Sequence, residues 1–164
     1  MTMLVIKEKG ARFTVRAAGI CLRDEHVLLQ TEARLDFWVL PGGRCDLGET
    51  TAHTVAREFH EETGLEVAVG DLLWVMENFY AEGRKAFHEI AFYYRVTLPD
   101  SVPPPREQPE FAGQEGETPL LFRWFPVAEL ERVRLFPTVF RQALHQLPTS
   151  PVHLIHHDVD DEAP

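Results

Sequence analysis

Between Gly43 and Leu65 the chain reads GRCDLGETTAHTVAREFHEETGL, and this stretch limits the fold more than any other. Thr50 or Thr51 can cap a helix N-terminus, and Gly64 sits where a helix end wants a left-handed residue. These signals predict a helix from about Thr50 to Thr63. Val55, Ala56 and Phe59, with Ala52 beside them, give it an apolar face that must pack against other elements. Glu58, Glu61 and Glu62 lie at i, i+3 and i+4, so a helix puts all three carboxylates on one side. Three like charges repel there, and helix stability does not ask for them. An oxygen-coordinating cation would relieve the repulsion, and Mg²⁺ or Mn²⁺ suits oxygen ligands beside phosphate. Arg57 stands four residues before Glu61 and next to Glu58, where it can orient a carboxylate. Glu49 falls just ahead of the helix, where the helix dipole favours negative charge. Gly42 and Gly43 let the backbone approach a ligand closely and can offer a carbonyl to a metal. Runs of acidic residues are usually solvated faces. Here the carboxylates follow two glycines, enclose an arginine and stop at a glycine, which argues for a site.

The remaining segments predict strands around this helix. Phe13–Leu22 is rich in small and β-branched residues, Asp24-Glu25 makes a turn, and His26–Thr31 reads as a hairpin partner. Phe37–Leu40 is a short apolar run stopped by Pro41-Gly42-Gly43. Leu65–Met76, Ala86–Leu98 and Leu120–Phe125 read as strands. The proline-rich stretch 99–119 reads as a long loop, Pro126–Leu130 as a helical turn and Phe136–Leu147 as a closing helix. Strands on both sides of one internal helix define an α+β class, a mixed sheet sandwiched between helices. With 164 residues, the chain predicts one domain over 1–150 and an acidic, His-containing tail over 151–164. The tail's end, with Asp158, Asp160, Asp161 and Glu162, is expected to be mobile.

Charge narrows the partners. A net charge of -10 argues against a broadly basic nucleic-acid surface and against electrostatic anchoring to an anionic membrane. No apolar run reaches the roughly 18–20 residues needed to span a bilayer. Lys7, Glu8 and Lys9 break the apolar patch of the N-terminus, so no secretory signal is legible. Cys21 and Cys45 suit free thiols in a reducing compartment. The expectation is a cytoplasmic protein with a small-molecule partner.

The segment from Gly43 resembles the Nudix box, G-x5-E-x7-R-E-U-x-E-E-x-G-U, with U a bulky aliphatic residue. Gly43 opens it, Glu49 follows, then Arg57-Glu58, Phe59 at the first U, Glu61-Glu62, and Gly64-Leu65 at the end. Phe59 is the one departure, and it keeps the position apolar. Weaker resemblance extends to WVLPGG at Trp38–Gly43 and RWFPVAEL at Arg123–Leu130. The resemblance implies a Nudix fold with a loop–helix–loop catalytic motif. It implies a metal-dependent pyrophosphohydrolase that cleaves a nucleoside diphosphate linked to another moiety. Nucleoside triphosphates, dinucleoside polyphosphates and nucleotide sugars all remain, with a slight lean to the first two. The cofactor implied is Mg²⁺ or Mn²⁺. By similarity, Glu58, Glu61, Glu62 and the Gly42 carbonyl hold metal, Arg57 holds the glutamates, and Glu49 supports the site. A glutamate from a late loop, Glu115 or Glu117, is expected as a further ligand or base, with Glu89 a third candidate.

Outside the box, Arg16 and Arg34 are candidates for substrate phosphate, with solvated surface charge as the other reading of Arg34, and Trp38 and Tyr80 are candidates for stacking on a base, with core packing the commoner fate of such aromatics. The alternative function is a non-catalytic Nudix-fold nucleotide sensor. Such proteins often lose box glutamates, whereas this chain keeps all of them. Many relatives are dimers, and a homodimer using an apolar edge such as Leu72–Met76 is the corresponding expectation, with core packing as the other reading of that stretch.

Overall fold

The computed structural model describes residues 2–158. The helix forms where its caps place it: α1 spans Thr51–Thr63. The Thr50 side chain accepts from the His53 N–H, and Gly64, at φ 72°, donates its own N–H to the His60 carbonyl. The strands are β1 (Val5–Glu8), β2 (Ala11–Ile20), β3 (Leu22–Arg23), β4 (His26–Glu32), β5 (Trp38–Val39) and β6 (Gly42–Arg44) before the helix. After it come β7 (Ala68–Glu82), β8 (Lys85–Thr97), β9 (Glu110–Glu115), β10 (Thr118–Pro126), β11 (Leu135–Phe136) and β12 (Val152–His157). A 3₁₀ turn covers Val127–Arg132, and a four-residue helix, α2, covers Phe140–Ala143.

These strands make two mixed sheets. One runs β1-β2-β8-β7-β12 with β6 also on β2, and the other β11-β5-β4-β10-β9 with β3 on β4. In the first sheet β2 is parallel to β8 and β12 is parallel to β7, while β7 and β8 are antiparallel. Successive strand residues point to opposite faces, and both sheets use this to serve two cores. Ala17 and Leu28 join Val55 and Phe59 of α1 in one core. Ala18 and Leu29 join Phe140 and Leu144 in the other. The β layer therefore has helix on each side, which bears out the α+β class with its mixed sheet between helices. Phe59 is fully buried on the inner face of α1, worth roughly 1.5–3 kcal/mol of transfer free energy. The aromatic at this position thus fixes the helix, and with it the carboxylate face, to the sheet.

Several local expectations are corrected. Only Leu22–Arg23 pairs with β4 as a hairpin; Ala11–Ile20 belongs to the other sheet, paired with β8. The glycines after Pro41 do not simply break a strand: Gly42–Arg44 pairs with Arg16–Ala18. The stretch 99–119 is not all loop, because Glu110–Glu115 turns at Gly116 and pairs with β10. The closing helix shrinks to α2, since Leu135–Phe136 is drawn into the second sheet beside β5. The boundary expected at 150–151 is not a boundary of the fold: Val152–His157 is β12, a strand on the edge of the first sheet. Asp160, Asp161 and Glu162 lie outside the described residues. Leu73, Trp74 and Met76 are core, so Leu72–Met76 is no free edge for a second copy; β7 is already paired on both sides.

Candidate active site

Strand β6 leads through a short loop into α1, and this passage brings the box residues together. A Cβ on Gly43 would stand 2.2 Å from the Glu58 carboxyl carbon, so glycine is needed for the carboxylate to lie against the β6 backbone. Gly42 is equally constrained, since a Cβ there would meet the Ala17 carbonyl oxygen at 2.2 Å.

Arg57 is the hub. Its Nε and Nη2 donate to the two oxygens of Glu49 at 2.9 and 3.1 Å. Its Nη1 donates to Glu58 Oε1 at 2.9 Å and to Glu61 Oε2 at 3.0 Å. A planar guanidinium serves three carboxylates here, which a lysine could not do. Glu49 also accepts from the Thr54 hydroxyl at 2.8 Å and the Asp46 N–H at 3.2 Å. The Arg57 hydrogen bonds, with Thr54 and Asp46, hold its carboxyl down to about 2. Glu49 is thus a fixed anion that orients Arg57.

The other carboxylates differ in exposure. Glu61 is half exposed, whereas Glu58 and Glu62 are buried. Burial pushes the Glu58 carboxyl up against the pull of Arg57. Burial and the neighbouring Glu58 push Glu62 up to about 8, even with Arg16 and Gln30 acting to lower it. The Glu62 Oε2 atom has no hydrogen-bond partner. An unpaired buried carboxylate oxygen beside a second carboxylate is the environment a bound cation would relieve. Among the described residues no three His, Cys, Asp or Glu side chains are arranged to hold a metal ion. Arg57 stands between Glu58 and Glu61 and takes an oxygen from each.

Arg16 closes the site from β2. Its Nη2 donates to the carbonyls of Gly42 at 2.9 Å and Leu40 at 3.2 Å. Burial opposes its charge, but Glu89, Tyr93, Glu62 and Glu58 outweigh burial and raise its pKa. Two cavities meet at Arg16, Phe37 and Val39. One, of about 220 Å³, is lined by Gly42, Gly43, Glu58 and Glu115 among others. The second, of about 140 Å³, is lined by Asn78, Tyr80, Glu89, Tyr93, Phe136 and Asp158 among others.

The structure therefore brings together Gly42, Glu49, Arg57, Glu58, Glu61, Glu62 and Arg16, with Glu115 across the first cavity. Glu117 sits on the β9–β10 turn and lines neither cavity. Glu89 lies in the second cavity and accepts from the Thr14 hydroxyl at 3.2 Å. Tyr80 also reaches the second cavity, its ring stacked on Phe87 at 4.7 Å. Besides Glu117, two candidates lie elsewhere. Arg34 is on the exposed β4–β5 loop and lines neither cavity. Trp38 packs edge-on against Phe125 at 4.7 Å, with the Arg123 guanidinium over its ring. This is the packing alternative, and strand alternation explains it: its neighbours Phe37 and Val39 face the cavities instead. Gln30, Asn78 and Asp158 are further site residues. A buried polar side chain at an inward position of an apolar strand could have flagged Asn78; nothing local flags Asp158.

A NUDIX domain model matches residues 13–146, and the chain belongs to that family. It is 43% identical over 114 residues to the Nudix hydrolase YvcI of Bacillus subtilis (strain 168), described as uncharacterized; the match covers 70% of this chain and 66% of YvcI. It is 40% identical over 70 residues to diphosphoinositol polyphosphate phosphohydrolase 2 of Rattus norvegicus, covering 40% of this chain and 39% of that one. The chain thus spans about two fifths of the length of the rat relative it matches. The crystal structure of a mutator MutT protein from Bacillus halodurans superposes with a TM-score of 0.59 at 21% identity, covering 90% of this chain and 92% of that one. That likeness supports the fold. No helix among the described residues is long and apolar enough to cross a membrane.

Proposed function

We propose that the protein is a divalent-metal-dependent pyrophosphohydrolase that cleaves a nucleoside diphosphate linked to another moiety. The observation that carries this reading is the carboxylate face of α1: Glu58, Glu61 and Glu62 around Arg57, with one buried Glu62 oxygen unpartnered. Such a face repels a diphosphate unless cations intervene. Glu58, Glu61, Glu62 and the Gly42 carbonyl would hold Mg²⁺ or Mn²⁺. When bound, the ion neutralises the diphosphate and acidifies a bound water. Arg57 holds Glu58 and Glu61 in place, and Glu49 holds Arg57. Glu115 would take a proton from the attacking water, a role supported by its lining the cavity with Glu58 where Glu117 does not. Arg16 offers its charge to phosphate where the two cavities meet.

The second cavity favours a nucleotide over other diphosphates. The rat relative's name places a diphosphoinositol among Nudix substrates, but Phe37, Tyr80 and Phe136 line this cavity, and aromatic walls suit a planar base better than a hydroxylated ring. Cys21 and Cys45 are buried and free, which supports a reducing compartment such as the cytoplasm. The retained carboxylates count against a non-catalytic sensor.

The test is phosphate release from nucleoside triphosphates, dinucleoside polyphosphates and nucleotide sugars, with Mg²⁺ and then Mn²⁺, products separated to show the bond broken. Metal-dependent cleavage of one class supports the proposal. Nucleotide binding without cleavage of any compound would sink it in favour of the sensor.

A further inference from the structure

The family match ends at residue 146, yet the fold continues into β12, and Asp158, immediately beyond β12, lines the second cavity. We infer that the Val152–Asp158 segment completes the pocket for the non-phosphate moiety, and that Asp158 is a specificity-determining residue selecting a base whose edge carries N–H donors. This rests on the nucleotide reading above.

Two ladders of side chains hold β12 in place. On one face of the first sheet, Phe13, His88, Phe79 and His157 come from four adjacent strands at paired positions. Their rings meet at 5.1, 4.4 and 4.7 Å in turn. On the opposite face the next residues in register are Thr14, Glu89, Asn78 and His156. Immediately beyond β12, the Asp158 N–H donates to the Phe79 carbonyl at 3.0 Å. Asp158 is therefore a continuation of the sheet, placed by its backbone as well as its side chain.

The Asp158 carboxylate is anchored through one oxygen. Oδ1 accepts from the Thr138 N–H at 3.1 Å and its hydroxyl at 2.7 Å, and lies 2.9 Å from His156 Nε2. These bonds tie β12 to the segment after Phe136 and Pro137, which also line the cavity. All of these bonds fall on Oδ1, and Asp158 is itself a lining residue of that cavity. Asn78, on the neighbouring strand, is 3% exposed and its Oδ1 has no partner. A buried amide oxygen without a donor is costly unless a ligand supplies one. Asn78, Asp158 and Glu89 thus bring three acceptor-bearing side chains to the lining of one cavity, between aromatic side chains. The complementary ligand is a planar ring with adjacent N–H donors, as on the edge of a 2-aminopurine-6-one, with its phosphates toward Arg16 and α1.

Calorimetric binding of α,β-methylene triphosphate analogues tests this without turnover. The pair to compare is guanosine, which carries the ring N–H and amino donors, and unsubstituted purine riboside, which carries neither. Wild type should prefer the guanosine analogue by at least about 10-fold, within what one or two hydrogen-bond donors supply. Asp158→Asn should cut that preference at least fivefold and leave the purine riboside affinity within about twofold. Asn78→Leu should cut it independently, so the inference stays testable if one variant does not fold. No wild-type preference, an unchanged preference in both variants, or an equal loss for both analogues would overturn it. Preferential binding with no hydrolysis of the matching triphosphate would instead overturn the hydrolase reading and leave this one standing.

Discussion

Glu62 pays in stability for a role in function. Its carboxylate is buried, close to Glu58 and short of one partner, and such groups destabilise a fold unless something binds them. Glu62→Gln should therefore leave the melting temperature of the metal-free protein unchanged or raised, while turnover falls at least about 100-fold. A large loss of stability would instead mark Glu62 as structural. Glu49 predicts the reverse pattern. Its carboxyl is held down to about 2, from an ordinary 4.5, chiefly by Arg57. A lowered folded-state value means the unfolded chain binds the proton more tightly. The stabilisation is then complete above about pH 4.5 and is lost as pH falls toward 2. At roughly 1.36 kcal/mol per pH unit, discounted for solvent screening, it is on the order of 1–2 kcal/mol. Urea unfolding of wild type and Glu49→Gln should show that gap near pH 7, narrowing below about pH 4. A gap that does not change with pH would refute the assignment.

At the level of elements, the contact between β6 and α1 decides the geometry. Gly43→Ala would push a methyl into the Glu58 carboxylate. Overpacking of this kind costs roughly 1–3 kcal/mol, and here the side chain displaced belongs to the site. Turnover should fall at least about tenfold, with a modest drop in the unfolding midpoint; unchanged turnover would show that Glu58 need not lie against β6. This part of the molecule was legible in the sequence because its signals are local: Thr50 and Gly64 bound the helix, and i, i+3, i+4 spacing aligns the carboxylates. The elements that were misread depend on partners far along the chain. Glu110–Glu115 holds Gly113 and sits in a proline-rich stretch, so only its pairing with β10 makes it a strand. Val152–His157 carries three histidines in a stretch whose local sequence predicts a tail; its register with Trp74–Phe79 makes it sheet. For Trp38 the sequence leaves stacking and packing both open, since the face of a two-residue strand cannot be read from two residues.

The whole molecule sets a charged helix face and an aromatic, acceptor-lined cavity on either side of Arg16, with two sheets as the rigid frame. The proposed function assigns phosphate chemistry to the first and recognition of the remaining moiety to the second. Removing Arg16 should therefore touch both. Arg16→Ala removes the donor to the Gly42 and Leu40 carbonyls and the cation facing Glu58, Glu62 and Glu89. It should lower kcat/KM at least about 100-fold and destabilise the fold by about 3–5 kcal/mol, the cost of breaking a buried charge network. Loss of activity with stability intact would assign Arg16 to substrate alone. On the proposed reading the α1 carboxylates act through a divalent cation on a nucleotide diphosphate. The measurement to make is the rate of nucleotide cleavage as a function of Mg²⁺ concentration, for wild type beside Glu62→Gln. The rate should rise from near zero to saturation in wild type and stay at least about 100-fold lower in the variant. Cleavage that persists in a chelator, or a variant that saturates at the wild-type rate, would contradict it.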